Sequence, residues 1–515
     1  MGESEQSPAA SLRGQAGLIT GLVVALAVIL FCDLEPGRPE VTYTLAVALL
    51  MAVWWITEAL PLAVTALLPV ALFPILGIMN GQKVSATYFN HVIFLFIGGF
   101  LLALAMQKWN LHRRIALRVL TLTGASPARI LLGFMAATAF LSMWISNTAT
   151  AMLMIPIVLS IILELEKANG EEAVARYAVG LLLGVAYSAS VGGIATLVGT
   201  PPNLSFIRIF QIYFPEAPEI SFARWLLFAF PITVTFLGII WGYLYLIYKP
   251  AKNNWQTVGA DLFQRQYQQL GPMRREEKTV LAAFVLMAVL WICRADIDLG
   301  IVRLPGYAGL FPCPDYINDG TVAIFVAVVL FALPAGENRR GRIMDWQTAK
   351  ELPWNIVLLF GGGFALASGF KDSGLSLWFG RQLAWVSQTP PVVIILVICL
   401  MLTFLTEMTS NTATTEMILP ILAGLAISIN INPLYLMLPA TLSASMAFML
   451  PVATPPNAII FGTNRLQVMD MAKTGLALNL IGTGLSTLFV YFLGSVIFGM
   501  TPDCFPLWAA AGARP

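Results

Sequence analysis

Two stretches decide how this chain folds: FLSMWISNTATAMLMIPI at 140–157 and FLTEMTSNTATTEMILPI at 404–421. Each places five small, mostly hydroxyl or amide residues, Ser146 to Thr150 and Ser410 to Thr414, inside a long apolar run. Polar side chains set where water is scarce cost free energy unless they find partners. The repeated SNTAT therefore calls for a structural or functional reason.

The surroundings set the class. Of 515 residues, 58% are hydrophobic and 11% charged, and the mean hydropathy is +0.80. That composition describes an all-α polytopic membrane protein with little mass left for a separate soluble domain. A net charge of +2 gives no sign of a nucleic-acid partner. Cys32, Cys293, Cys313, Cys399 and Cys504 lack metal-type spacing, and a disulfide framework is not expected. The first apolar segment follows a short polar start without a small-residue cleavage site, so it reads as a retained first span.

Apolar segments fall near 17–32, 43–58, 61–79, 92–107, 130–163, 178–212, 223–248, 279–293, 321–333, 353–370, 391–429, 433–463 and 474–499. Basic clusters lie between them: Lys108, Arg113, Arg114, Arg118 and Arg129; then Lys249, Lys252, Arg265, Arg274, Arg275 and Lys278; then Arg339, Arg340, Arg342 and Lys350. The excess of positive charge in cytoplasmic loops puts all three clusters inside. Three segments separate the first two clusters, so one of the three must enter and leave on the same side. Segment 130–163 is roughly 51 Å long as one helix at 1.5 Å per residue, too long for a core of about 30 Å. Split at SNT, it gives two arms of about 16 residues, a re-entrant helical hairpin. Segment 391–429 has the same build. About eleven transmembrane helices remain, with the N-terminus cytoplasmic and the C-terminus outside.

The chain also repeats itself. FIGGF at 96–100 matches FGGGF at 360–364, 264 residues on, and SNTAT recurs at the same offset. SASVGGIATLVGTPPN at 188–203 matches SASMAFMLPVATPPN at 443–457. Five spans separate the SNTAT copies, and an odd number predicts an inverted-topology repeat. Glycine and proline interrupt 178–212 and 433–463, which predicts two broken helices, because proline removes a backbone donor. Unwound backbone survives at membrane depth only inside protein or beside a cavity.

Such breaks and tips expose backbone groups without helical partners. Ser146, Asn147, Thr148, Ser410, Asn411 and Thr412 add neutral oxygens and donors. Oxygens suit Na⁺, and helix N-termini suit an anion. The only basic residue well inside these segments, Arg208, lies past the break. Glu407 and Glu416 flank the second motif, and structural support is their first reading ahead of solvent exposure or proton relay. His91 and His112 read as loop or interface residues. No HExxH, GxSxG or phosphate-loop motif appears, so an enzyme is not expected. A channel is the remaining alternative class.

The paired SNT motifs, each followed by a PPN break, resemble the divalent anion/sodium symporter family, and YSASVGGIATLVGTPPN at 187–203 is similar to its signature. The resemblance runs from about residue 40 to 500. It implies import of C4-dicarboxylates (succinate, malate, fumarate) by sodium symport, with a tricarboxylate carrier or a sodium-independent exchanger as alternatives. It also implies a homodimer and an elevator-type mechanism. Carried onto this sequence, it places one Na⁺ at Ser142, Ser146, Asn147 and Gly199, and a second at Thr406, Ser410, Asn411 and Ala453. Substrate carboxylates would bind Asn147, Thr148, Asn411 and Thr412, with Thr200, Pro201, Thr454 and Pro455 as walls. At least two coupling sodium ions follow. A bacterial inner membrane is the expected location.

The expected organisation is a tail and first helix over 1–40, and a first repeat over 41–250 with hairpin 130–163 and broken helix 178–212. A cytoplasmic linker covers 251–278. A second repeat spans 279–500 with hairpin 391–429 and broken helix 433–463, and a tail covers 501–515.

Overall fold

A computed structural model describes residues 8–124, 126–250, 260–298, 303–336, 341–501 and 505–511. The expectations for Lys252, Arg339, Arg340, Cys504 and the extreme ends of the two tails lie outside the described residues.

The regular structure among the described residues is almost wholly helical. In the first part the helices are α1 (Pro8–Phe31), α2 (Pro39–Thr57), α3 (Leu62–Thr65), α4 (Leu68–Ile75), α5 (Gly81–Ala86), α6 (His91–Lys108) and α7 (Leu111–Thr123). Next come α8 (Pro127–Ser142), α9 (Asn147–Asn169), α10 (Glu171–Ile194), α11 (Pro201–Tyr213), α12 (Phe222–Tyr248), α13 (Ala260–Gln269) and α14 (Arg275–Ile292). The second part holds α15 (Asp319–Ala332), α16 (Trp346–Ala349), α17 (Trp354–Ser373), α18 (Leu375–Gln382), α19 (Pro391–Thr406), α20 (Asn411–Ser428), α21 (Leu434–Ala444), α22 (Pro455–Phe461), α23 (Val468–Phe489), α24 (Ser495–Phe498) and α25 (Leu507–Ala511). Two antiparallel ladders of two residues per strand, at 297–298/303–304 and 334–335/341–342, complete the picture.

Seven helices among the described residues are long and apolar enough to cross a membrane, and five shorter apolar helices accompany them. Their starts are written in the sequence. The Asn90 side chain accepts from the N–H groups of Val92 and Ile93 at 3.0 and 3.3 Å, satisfying two donors that no helical carbonyl can reach. Proline stands in the first turn of α2, α8, α11, α19 and α22, where its missing N–H costs nothing.

The chain breaks where the polar motifs interrupt it. α8 ends at Ser142 and α9 begins at Asn147; α19 ends at Thr406 and α20 begins at Asn411. The arms are less equal than the sequence predicts. α9 runs 23 residues rather than about 16, because the Glu164–Asn169 stretch continues the helix until Gly170 ends it at φ 89°. Length alone would let α9 span a membrane. α10 follows at once and is buried almost throughout, at the centre of the bundle. Glycine permits its close packing: a Cβ on Gly192 would meet the backbone of Ala139 in α8 at 2.5 Å.

Between the two parts, packing is crosswise. α9 lies against α22, and α20 lies against α11. The helix that follows SNT in one part thus packs on the helix that follows PPN in the other.

Candidate functional site

The Ser142 hydroxyl at the end of α8 lies 2.5 Å from Asn147 Oδ1 and 2.7 Å from the Ala189 carbonyl oxygen of α10. One hydroxyl holds one proton and can donate to only one of them. Three oxygens therefore gather with too few protons, an arrangement that a hard cation relieves. Thr406 repeats it in the second part, 2.7 Å from Asn411 Oδ1 and 2.9 Å from the Ala444 carbonyl oxygen. Gly193 and Gly199 close around the first cluster. A Cβ on Gly193 would stand 2.7 Å from Asn147 Oδ1 and 2.9 Å from Gly199 O.

The breaks that follow are pinned by an asparagine each. Asn203 Nδ2 donates toward the carbonyls of Gly193, Ile194 and Thr196, the last at 2.7 Å. Asn457 Nδ2 donates to Ala447 and Leu450 at 3.1 Å each. Both side chains are fully buried. These two are the N of each PPN, and their role was open to sequence reasoning through the repeat alone.

The two breaks differ in length. α10 runs on to Ile194, whereas α21 stops at Ala444, seven residues before Pro451. The longer unwound stretch is held by Glu407. Its carboxylate accepts from three consecutive backbone N–H groups, Phe448, Met449 and Leu450, at 2.7, 2.8 and 3.0 Å. Asn479 Nδ2 adds a fourth donor at 2.8 Å. In the first part a hydroxyl does related work: Thr196 Oγ1 donates to the Met143 carbonyl at 2.5 Å. Glu407 is thus a brace for the break. Glu416 is fully buried, and Ser205 of α11 donates to its Oε1 at 3.1 Å.

The remaining sequence candidates are placed as follows. Ser146 is the N-cap of α9 and accepts from Ala149 N–H at 3.3 Å, and Ser410 is the N-cap of α20. Thr200 and Thr454 are the N-caps of α11 and α22, with Pro201 and Pro455 next to them. Asn147, Thr148 and Asn411 are half-buried and Thr412 is buried. Ser142, Asn147 and Gly199 are brought together, as are Thr406 and Asn411. Ala453 sits in the second break, its N–H donating to Leu450 O, with no hydrogen bond to the Thr406–Asn411 pair. The carbonyls of Ala189 and Ala444 were missed, since a backbone ligand leaves no side-chain signature. Among the described residues, no group of three His, Cys, Asp or Glu forms a metal-type cluster.

The arrangement offers two oxygen clusters without formal charge and the N-termini of α9, α11 and α20, each carrying partial positive charge. It can hold a monovalent cation at each cluster and an anion between helix ends.

A family model described as the sodium:sulfate symporter transmembrane region matches residues 16–500. The sodium-dependent dicarboxylate transporter SdcS of Staphylococcus saprophyticus is 44% identical over 491 residues, covering 94% of this chain and 92% of that protein. The SdcS of one Staphylococcus aureus strain is also 44% identical over 491 residues, with the same coverage. Among solved structures, the YdaH transporter of Alcanivorax borkumensis aligns over 95% of this chain and 98% of its own, at a TM-score of 0.56 and 14% identity. MtrF of Neisseria gonorrhoeae aligns at a TM-score of 0.54 and 16% identity, over 96% and 97% of the two chains. At such identity these two speak to the fold alone.

Proposed function

The chain belongs to the sodium:sulfate symporter family, and from that premise we propose that it imports C4-dicarboxylates by sodium symport. The observation that carries the reading is the doubled oxygen cluster, Ser142–Asn147–Ala189 and Thr406–Asn411–Ala444. Each cluster takes one Na⁺, so at least two ions couple to transport. Ser146 and Gly199 complete the first site, and Ser410 and Ala453 the second. Asn147, Thr148, Asn411 and Thr412 bind the carboxylates, and Thr200, Pro201, Thr454 and Pro455 form the walls.

The two halves, 41–250 and 279–500, are an inverted-topology repeat joined by the 251–278 linker. Matching hydrogen-bond sets around Asn203 and Asn457 support that reading. α8–α9 and α19–α20 are hairpins entering from opposite faces. The N-terminus is cytoplasmic, the C-terminus outside, and the membrane a bacterial inner membrane. Elevator-type movement within a homodimer carries the site across.

The test is uptake of labelled succinate, citrate and sulfate into proteoliposomes, with and without a Na⁺ gradient. Sodium-driven succinate uptake, with much less uptake of citrate and sulfate, is the expected result. Equal succinate uptake without sodium would make the protein an exchanger and remove the cation assignment.

A further inference from the structure

Arg208 stands apart from the site just described. It lies on α11 seven residues beyond Pro201, about 10 Å further along the helix axis at 1.5 Å per residue. Its Nε is buried and has no hydrogen-bond partner. Among the described residues no carboxylate comes within ion-pair distance of it. A guanidinium stays charged at any ordinary pH, and Arg208 is half-buried, so the rest of its guanidinium opens toward the cavity beside it.

What Arg208 faces is a cavity of about 320 Å³ that His91, Gln211, Phe214 and Glu219 also line. Glu219 makes no ion pair with it; Glu219 Oε1 is held at 2.6 Å by Arg294 Nη2. Arg294 in turn holds Asp319 Oδ1 at 2.6 Å. Both nearby acids are bonded to Arg294, and the one negative charge they leave over balances Arg208 only at longer range, without a hydrogen bond to it. The larger cavity beside Arg38, Lys83 and Lys371 differs in this respect. Those cations already hold Ser373 O, Asp372 and Ile212 O.

We propose that the Arg208 cavity is a second, sodium-independent anion site that takes a carboxylate of the transported dicarboxylate before it reaches the oxygen clusters. The planar guanidinium fork matches a carboxylate in bidentate fashion, and the Gln211 amide and His91 imidazole stand beside it as further polar contacts. No oxygen cluster of the Ser142 or Thr406 kind adjoins it, so Na⁺ has no part in holding the anion there. The assignment of the anion as substrate rests on the dicarboxylate reading above.

Equilibrium dialysis of labelled succinate against the purified full-length protein, in low-salt, sodium-free buffer, tests the site. About one succinate per protomer should bind weakly, and Arg208→Gln should weaken that binding roughly 10- to 100-fold, as expected for losing charged hydrogen bonds. His91→Ala, at the exposed rim, should weaken it severalfold and serves should Arg208→Gln fail to fold. In proteoliposomes, Arg208→Gln should raise the half-saturating succinate concentration severalfold, leaving the maximal rate and the half-saturating Na⁺ concentration within about twofold. Absence of sodium-free binding in the unmodified protein, or equal binding in Arg208→Gln, overturns the site. Displacement by chloride but not by malate or fumarate makes it an inorganic-anion site and overturns the waiting role. Loss of all sodium-driven succinate uptake in the unmodified protein would instead fall on the dicarboxylate reading, and the dialysis result would still decide the cavity.

Discussion

Ser142 and Thr406 each present one hydroxyl proton to two acceptors, and under the proposed function a sodium ion answers that shortage. Ser142→Ala and Thr406→Val should therefore each raise the half-saturating Na⁺ concentration about tenfold, the effect of losing roughly 1.4 kcal/mol of binding. Sodium titration of succinate uptake reads the change, and unaltered titrations in both variants would remove the cation clusters. Thr148→Val and Thr412→Val keep the side-chain shape and delete a donor. They should weaken succinate roughly ten- to a hundredfold, since hydrogen bonds to charged groups contribute about 1.5–3 kcal/mol, with little change in sodium affinity. The hydroxyl and amide candidates were legible because SNTAT is repeated and chemically out of place in apolar runs. The carbonyls of Ala189 and Ala444 were not, because any residue type supplies the same backbone oxygen. Arg114, placed in a basic cluster by its charge, has a partner that local sequence does not reveal: the side chain is buried, bonded to both oxygens of Glu277 at 3.0 and 3.1 Å.

Among the elements, the second break depends on Glu407 more than its sequence position between a hairpin arm and SNT suggests. Glu407→Gln keeps one oxygen, which can replace Oε1 as acceptor for Phe448 and Met449, and puts an N–H₂ group where Oε2 received the Leu450 N–H. Hydrogen exchange should rise most at Leu450, about ten- to a hundredfold, since an unmet buried group costs roughly 1–3 kcal/mol, and less at Phe448 and Met449. Transport should fall with it. Unchanged protection at those amides would mean that the stretch holds itself. The FGGGF segment of α17 carries a second dependence. A Cβ on Gly363 would lie 2.2 Å from Glu416 Cδ. Gly363→Ala should thus lower thermal stability in detergent by several degrees, and adding Glu416→Ala should restore much of the loss. Equal loss in the double variant would place the strain elsewhere. Glycine and proline made both breaks readable in advance. Their unequal lengths were not, because the second is set by a long-range carboxylate that local sequence does not reveal.

For the molecule as a whole, topology is the first quantity to measure. Arg113 and Lys249 are exposed and should label from the cytoplasm as cysteines, whereas Glu216, exposed in the 214–221 loop, should label from outside. Cys32, Cys293 and Cys313 are exposed and must be replaced first. Arg113 and Lys249 on opposite faces would undo the α8–α9 hairpin. Electrostatics adds a pH signature outside the membrane-spanning helices. Lys108 Nζ, 2.6 Å from Asp345 Oδ2, with the Thr348 N–H as a further donor, holds the Asp345 carboxyl down to about 2 from its ordinary 3.8. A depressed acid stabilises the fold above its ordinary value and loses that contribution as pH falls through its folded value. The stability difference between the native protein and Asp345→Asn should hold constant from pH 5 to 8 and shrink between about pH 4 and 2. With the Asp345 side chain 48% exposed, salt should reduce it throughout. Thermal unfolding across pH reads both effects, and a difference that grows on acidification would reverse the assignment.

The crosswise packing of α9 on α22 and of α20 on α11 also governs how the protein can be made. α9 leaves the ribosome about 290 residues ahead of α22, a wait of roughly 15–60 s at ~5–20 residues per second. Through that interval the hydroxyl-bearing end of α9 is without the α22 cover it has in the complete protein. α11 waits in the same way for α20. A nascent chain arrested after α12 therefore lacks the helices that α9 and α11 pack on in the complete protein. Completion has to come from the second half, supplied in the same chain or beside it.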